Sequence, residues 1–139
     1  MSQTQAPSWL QTGPAPCAVA AASHATCTAA MEAAAALDFR VVYLDLAGVD
    51  AKPALLDRLA AALDFPDCFG HNWDALADAL GDLSWHRVPG LLLVLGNSAR
   101  LQYSAPADFN ILLEIFEESA AAQDPTGLPF RVLIRPDDA

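Results

Sequence analysis

Asp74 and Asp78 lie four residues apart in the short segment Trp73 to Leu80. If that segment is helical, the spacing sets both carboxylates on one side of the helix. Such a pair has two chemical uses. It can divide acid and base duties in catalysis, with His71 as a third titratable group nearby. Alternatively, it can accept charge-assisted hydrogen bonds from the Arg, Lys or protonated His of a partner, as two phosphates would. Asp74 falls in the first turn, where the helix dipole favours an anion without any partner. Asp78 falls in the last turn, where the dipole opposes it, and it repels Asp74 from one turn away, so helix stability does not select it. Recognition of a basic partner accounts for both positions. A hydrolase would need a cleft to tune these groups, and a convex helix face does not supply one.

The elements that must hold this pair follow from periodicity. Asn72 is a suitable cap, Gly81 a suitable stop, and Trp73, Leu76, Ala77 and Leu80 read as the apolar face, which sends Asp74 and Asp78 elsewhere on the surface. Asp67 to Gly70 form the loop ahead of it. Upstream, Met1 to Pro16 is Pro- and Gly-punctuated, and residues 1–22 read as a flexible lead-in to a single domain over 23–139. Ser23 caps an Ala-rich helix that runs to Leu37, and FRVVYLDL from Phe39 to Leu46 is a strand ended by Gly48. Asp50 offers the cap of a helix through Leu63 that tolerates Pro53 in its first turn and lines up Leu55, Leu56, Leu59 and Leu63. The unbroken apolar run Leu91 to Leu95 reads as a central strand buried on both faces. Ala107 to Ala122 reads as a helix burying Phe109, Leu112, Leu113 and Phe116, and Phe130 to Ile134 as the last strand. This order predicts an α/β fold: a three-stranded parallel sheet covered by helices, with an extra Ala-rich helix at the N-terminal side.

Charge narrows the partner. Seventeen acidic residues against seven basic ones give the 139-residue chain a net charge of -10, which repels nucleic acid and anionic lipid and attracts basic proteins. The acids are concentrated between Leu59 and His86 and between Leu101 and Phe130, stretches with no Lys or Arg until each is closed, so a fold that joins them creates a strongly negative surface. The cysteines Cys17, Cys27 and Cys68 form no CxxC pair, and His24 lacks metal-ligand spacing beside them, which argues against a disulfide framework and a zinc site. A charged signal-peptide n-region is missing and no apolar run is long enough to span a bilayer. The expectation is a cytoplasmic protein, monomeric when free, with no cofactor, metal or catalytic residues. Cys68 and His71 read as an inert thiol and a surface histidine, and Trp73 as core.

The run Phe65-Pro66-Asp67-Cys68-Phe69-Gly70-His71-Asn72-Trp73-Asp74-Ala75-Leu76-Ala77-Asp78-Ala79-Leu80 resembles the loop and acidic helix of the barstar family of intracellular ribonuclease inhibitors. The likeness extends over roughly Phe39 to Ile134. It implies a barstar-like fold, no enzymatic activity, and inhibition of a basic ribonuclease by plugging its active site. By the same resemblance, Asp78 matches the carboxylate that enters the enzyme's phosphate site and Asp74 the contact one turn earlier. Gly70 and Asn72 match the turn into the helix, Glu118 a further acidic contact, and Trp85 an aromatic contact after the helix. The sequence departs from the family where paired tyrosines give way to Cys68 and Phe69, and where Ala77 replaces a Trp between the two aspartates. Aromatic side chains commonly anchor interfaces, so these losses leave open an alternative: an immunity or interaction module directed at a basic protein that is not a ribonuclease.

Overall fold

The computed structural model describes residues 19–65, 72–81, 89–123 and 130–137. Its elements run β1 (Val19–Ala21), α1 (His24–Ala36), β2 (Arg40–Asp45), α2 (Lys52–Leu63), α3 (Trp73–Gly81), β3 (Leu91–Gly96), α4 (Ala99–Ser104), α5 (Pro106–Gln123) and β4 (Phe130–Ile134). All pairings are parallel, in the order β1-β4-β3-β2.

The sheet therefore has four strands and not the expected three. Val19–Ala21, placed by sequence in the flexible lead-in, pair with Val132–Ile134 at one edge. Three residues are too few to show a strand period, so only the partner reveals this strand. Residues 1–18 lie outside the described part of the chain. At the opposite edge β2 alternates, with Val42 and Leu44 buried and Tyr43 and Asp45 exposed. In β3, flanked on both sides, all six residues are buried, as the continuous apolar run requires.

Two unequal layers cover the sheet. On one face Val42, Leu44, Leu93, Leu95, Phe130 and Val132 pack with the α2 leucines, with Leu76 and Leu80 of α3, and with Phe109, Leu112 and Phe116 of α5. The rings of Phe116 and Phe130 meet edge to face at 5.9 Å. On the other face Leu92, Val94 and Leu133 meet Cys27, Ala30, Ala33 and Ala34 of α1. Ser23 caps α1 as expected, its Oγ accepting the Thr26 N–H at 3.1 Å.

The start of α2 corrects a second expectation. Its cap is Ala51, which offers no side-chain bond, while Asp50 instead lies 3.4 Å from Arg100. Pro53 follows within the first turn, where its missing N–H costs no helical bond. The other end of α2 is closed by Asp64 in a left-handed conformation (φ 53°), a role open to a short polar side chain as well as to glycine. Arg40 at the start of β2 reaches that end, donating Nη2 to the Ala62 carbonyl at 3.2 Å and to Asp64 Oδ2 at 2.8 Å. The start of β2 and the end of α2 are thus fixed together. Among the described residues, no helix is long and apolar enough to cross a membrane.

Candidate functional site

The acidic helix exists where the sequence places it. Asn72 Oδ1 accepts the Ala75 N–H at 2.7 Å and the Asn72 carbonyl accepts the Leu76 N–H at 3.0 Å, so α3 starts at a formed cap. Leu76 and Leu80 are fully buried, which fixes the rotation of the helix about its axis. Asp74 and Asp78 are then exposed on the outer surface, one turn apart. Ala77 is exposed with them, contrary to its assignment to the apolar face: at 3.6 residues per turn it falls between the core stripe and the aspartates. Trp73 is half-buried against the rim of the core and not fully inside it.

Helix α3 packs on α5, which joins the two acidic stretches of the sequence. Glu118 of α5 is exposed, as is Glu114 one turn before it. Among the described residues no Lys or Arg makes an ion pair with Asp74, Asp78 or Glu118. The arginines are engaged elsewhere: Arg40 with Asp64, Arg100 with Asp50, and Arg58 with the Asp45 and Ala47 carbonyls at 2.6 and 3.3 Å. Arg135 packs on the Tyr43 ring and donates from Nε to His24 Nδ1 at 3.3 Å. Among the described residues, Arg40, Arg58, Arg100 and Arg135 are thus held by groups outside α3, and the α3 carboxylates remain available to cations supplied from outside.

The remaining site candidates divide. Cys68, Phe69, Gly70 and His71 in the preceding loop, and Trp85 after the helix, lie outside the described residues. Asp74, Ala77 and Asp78 lie on α3 with Asn72 at its cap, and Glu118 lies on α5, the helix that packs against α3.

Features that would suggest chemistry lie elsewhere. A cavity of about 460 Å³ opens at the carboxyl ends of β1 and β4, lined by Ser23, Ser98, Gln102, Ile134, Arg135 and Asp137 among others, and no residue of α3 borders it. Asp45, at the end of β2, accepts the Asn97 side-chain amide and the Ala47 N–H, each at 2.9 Å, and these bonds hold its carboxyl below the ordinary value. Burial pushes the Cys27 thiol up, against a smaller opposing pull from Arg135, which makes it a poor nucleophile. No three His, Cys, Asp or Glu among the described residues are grouped to hold a metal ion.

The described residues form an open parallel α/β sheet whose capped helix α3 turns Asp74 and Asp78 outward. The family model described as Barstar (barnase inhibitor) matches residues 39–135, well over half of the 139-residue chain. The chain belongs to the Barstar family, and its β1 and α1 lie ahead of the matched region. No curated protein matches it.

Proposed function

We propose that this chain is an inhibitor of a basic ribonuclease, whose active site it blocks with α3 and the loop before it. The observation that carries this reading is the pair Asp74 and Asp78, exposed one turn apart on a helix whose rotation is fixed by Leu76 and Leu80, in a member of the Barstar family. A pocket built to hold the phosphates of RNA presents Arg, Lys or His⁺ donors, and two rigid carboxylates accept from such donors with no substrate bond to cleave. The net charge of -10 speeds encounter with a basic partner, and the helix supplies the specific contact. Glu118, and Cys68, Phe69 and Gly70 in the loop, extend the contact in this reading, with Trp85 beyond the helix. In this reading the protein is cytoplasmic, monomeric until it meets its partner, and without catalytic groups or a cofactor.

Exposed Ala77 favours a second reading. It sets a small side chain beside the two carboxylates where the family resemblance implies a large aromatic anchor, and an interface without that anchor fits a basic target other than a ribonuclease.

The test is inhibition of RNA cleavage by barnase and a panel of other basic secreted or toxin ribonucleases. The wild-type protein should abolish cleavage by at least one of them, and Asp78→Ala should do so far less well. Failure against the whole panel, with a salt-sensitive capture of some other basic protein that depends on Asp74 and Asp78, would transfer the assignment to the second reading.

A further inference from the structure

Lys52 occupies an unfavourable place. It opens α2, where the helix dipole presents its positive end, the first turn holds no acidic residue, and the Ala51 cap contributes no side-chain acceptor. It also adds a positive charge close to the element that is to attract a basic partner. One contact offsets both costs: the Lys52 ammonium lies 5.3 Å from the centroid of the Trp73 ring, within cation–π range. Trp73 is the first residue of α3, packed half-buried on the rim of the core, directly between the Asn72 cap and Asp74.

We propose that Lys52 is a positioning residue for the acidic helix: by holding the Trp73 ring, it fixes the first turn of α3 and with it the direction in which Asp74 and Asp78 project. The functional consequence rests on the inhibitor reading above; the mechanical claim does not. Leu76 and Leu80 set how the helix is rotated, but its first turn lies ahead of both. A ring clamped between core and ammonium resists fraying there at little entropic cost, because tryptophan has two side-chain torsions. The charge adds an attraction to the ring face that an uncharged stem lacks.

The experiment compares wild type, Lys52→Met, Lys52→Arg and Trp73→Leu by amide hydrogen exchange in the free protein and by binding kinetics with barnase as the probe. Lys52→Met keeps the stem and removes the charge. The Ala75 and Leu76 amides, bonded to Asn72, should exchange between about twofold and fivefold faster in it, the ratio expected from losing a half-exposed cation–π contact. Amides of α5 should not change, and Lys52→Arg should restore the wild-type rates, because a guanidinium stacks on tryptophan as well as an ammonium does. In the Trp73→Leu background Lys52→Met should have no further effect. With barnase, Lys52→Met should raise the dissociation rate while leaving the association rate equal or faster, since a repelling charge has gone.

Unchanged exchange at Ala75 and Leu76 in Lys52→Met overturns the proposal. Faster exchange with an unchanged dissociation rate reduces the pair to a stabilising contact and overturns it equally. If wild type does not bind barnase, the ribonuclease reading loses support, and the exchange data alone decide whether Lys52 holds α3.

Discussion

Asn72 Oδ1 receives the Ala75 N–H at 2.7 Å, so the helix that carries Asp74 and Asp78 begins at a side-chain cap and not in open water. The bond satisfies one of the donors a helix leaves free at its start and gives the first turn a defined origin.

Replacing that cap should cost about 1 kcal/mol of stability in Asn72→Ala, with Asn72→Asp close to wild type because its carboxylate caps equally well. Urea unfolding followed by circular dichroism measures this. An Asn72→Ala midpoint equal to wild type would show that packing on α5 alone holds the helix start.

A Cβ at Gly96 would run into the Tyr43 phenol, whose ring lies over the end of β3 and under the Arg135 guanidinium. Gly96→Ala should therefore destabilise the protein by roughly 1–3 kcal/mol through overpacking. Tyr43→Val should relieve most of that, so the double variant should be more stable than the sum of the two single changes. Strict additivity would refute the clash.

Asp45 gives a pH signature. Its bonds from Asn97 and Ala47 lower its pKa from the ordinary 3.8, so the folded state binds the proton less readily than the unfolded chain does. The resulting stabilisation is fully present above the unfolded value and is lost as pH falls through the lower folded one. Denaturation midpoints of wild type and Asp45→Asn should differ most above pH 4 or so and converge below it. A gap that widens on acidification would carry the wrong sign. The group is exposed, so the effect is small.

Much of the architecture could be read from residue order, because long apolar patterns have few solutions. Leu91 to Leu95 is apolar throughout and too short for a buried helix, which leaves a strand covered on both faces, and Phe109, Leu112 and Phe116 recur at a helical period that the structure buries. Short or context-dependent features could not be read. The strand Val19–Ala21 has meaning only beside β4, and α4, six residues over Ala99–Ser104, carries too little periodicity to stand out. Asp50 and Ala51 differ by a single residue as candidates for one cap, and the Asp50 carboxylate is taken by Arg100, which is distant in sequence. Arg131 is fully buried, donating to the Phe130 carbonyl at 3.0 Å, which no local pattern announces for a charged residue.

The acidic site divides the same way. Asp74 and Asp78 follow from their spacing and the Asn72 cap. The exposure of Ala77 depends on a rotation set by Leu76 and Leu80 in the assembled core, and the Lys52–Trp73 contact joins residues from two helices that sequence treats separately.

The central claim is that the outward carboxylates of α3 receive cations from a partner. Its most direct measurement is the dissociation constant for a basic ribonuclease, beginning with barnase, of wild type, Asp74→Ala and Asp78→Ala across a range of salt concentrations. Each charge-assisted bond lost should weaken binding by roughly tenfold to a hundredfold, and each variant should show a shallower salt dependence than wild type. Equal affinity and equal salt dependence in all three proteins would contradict the account.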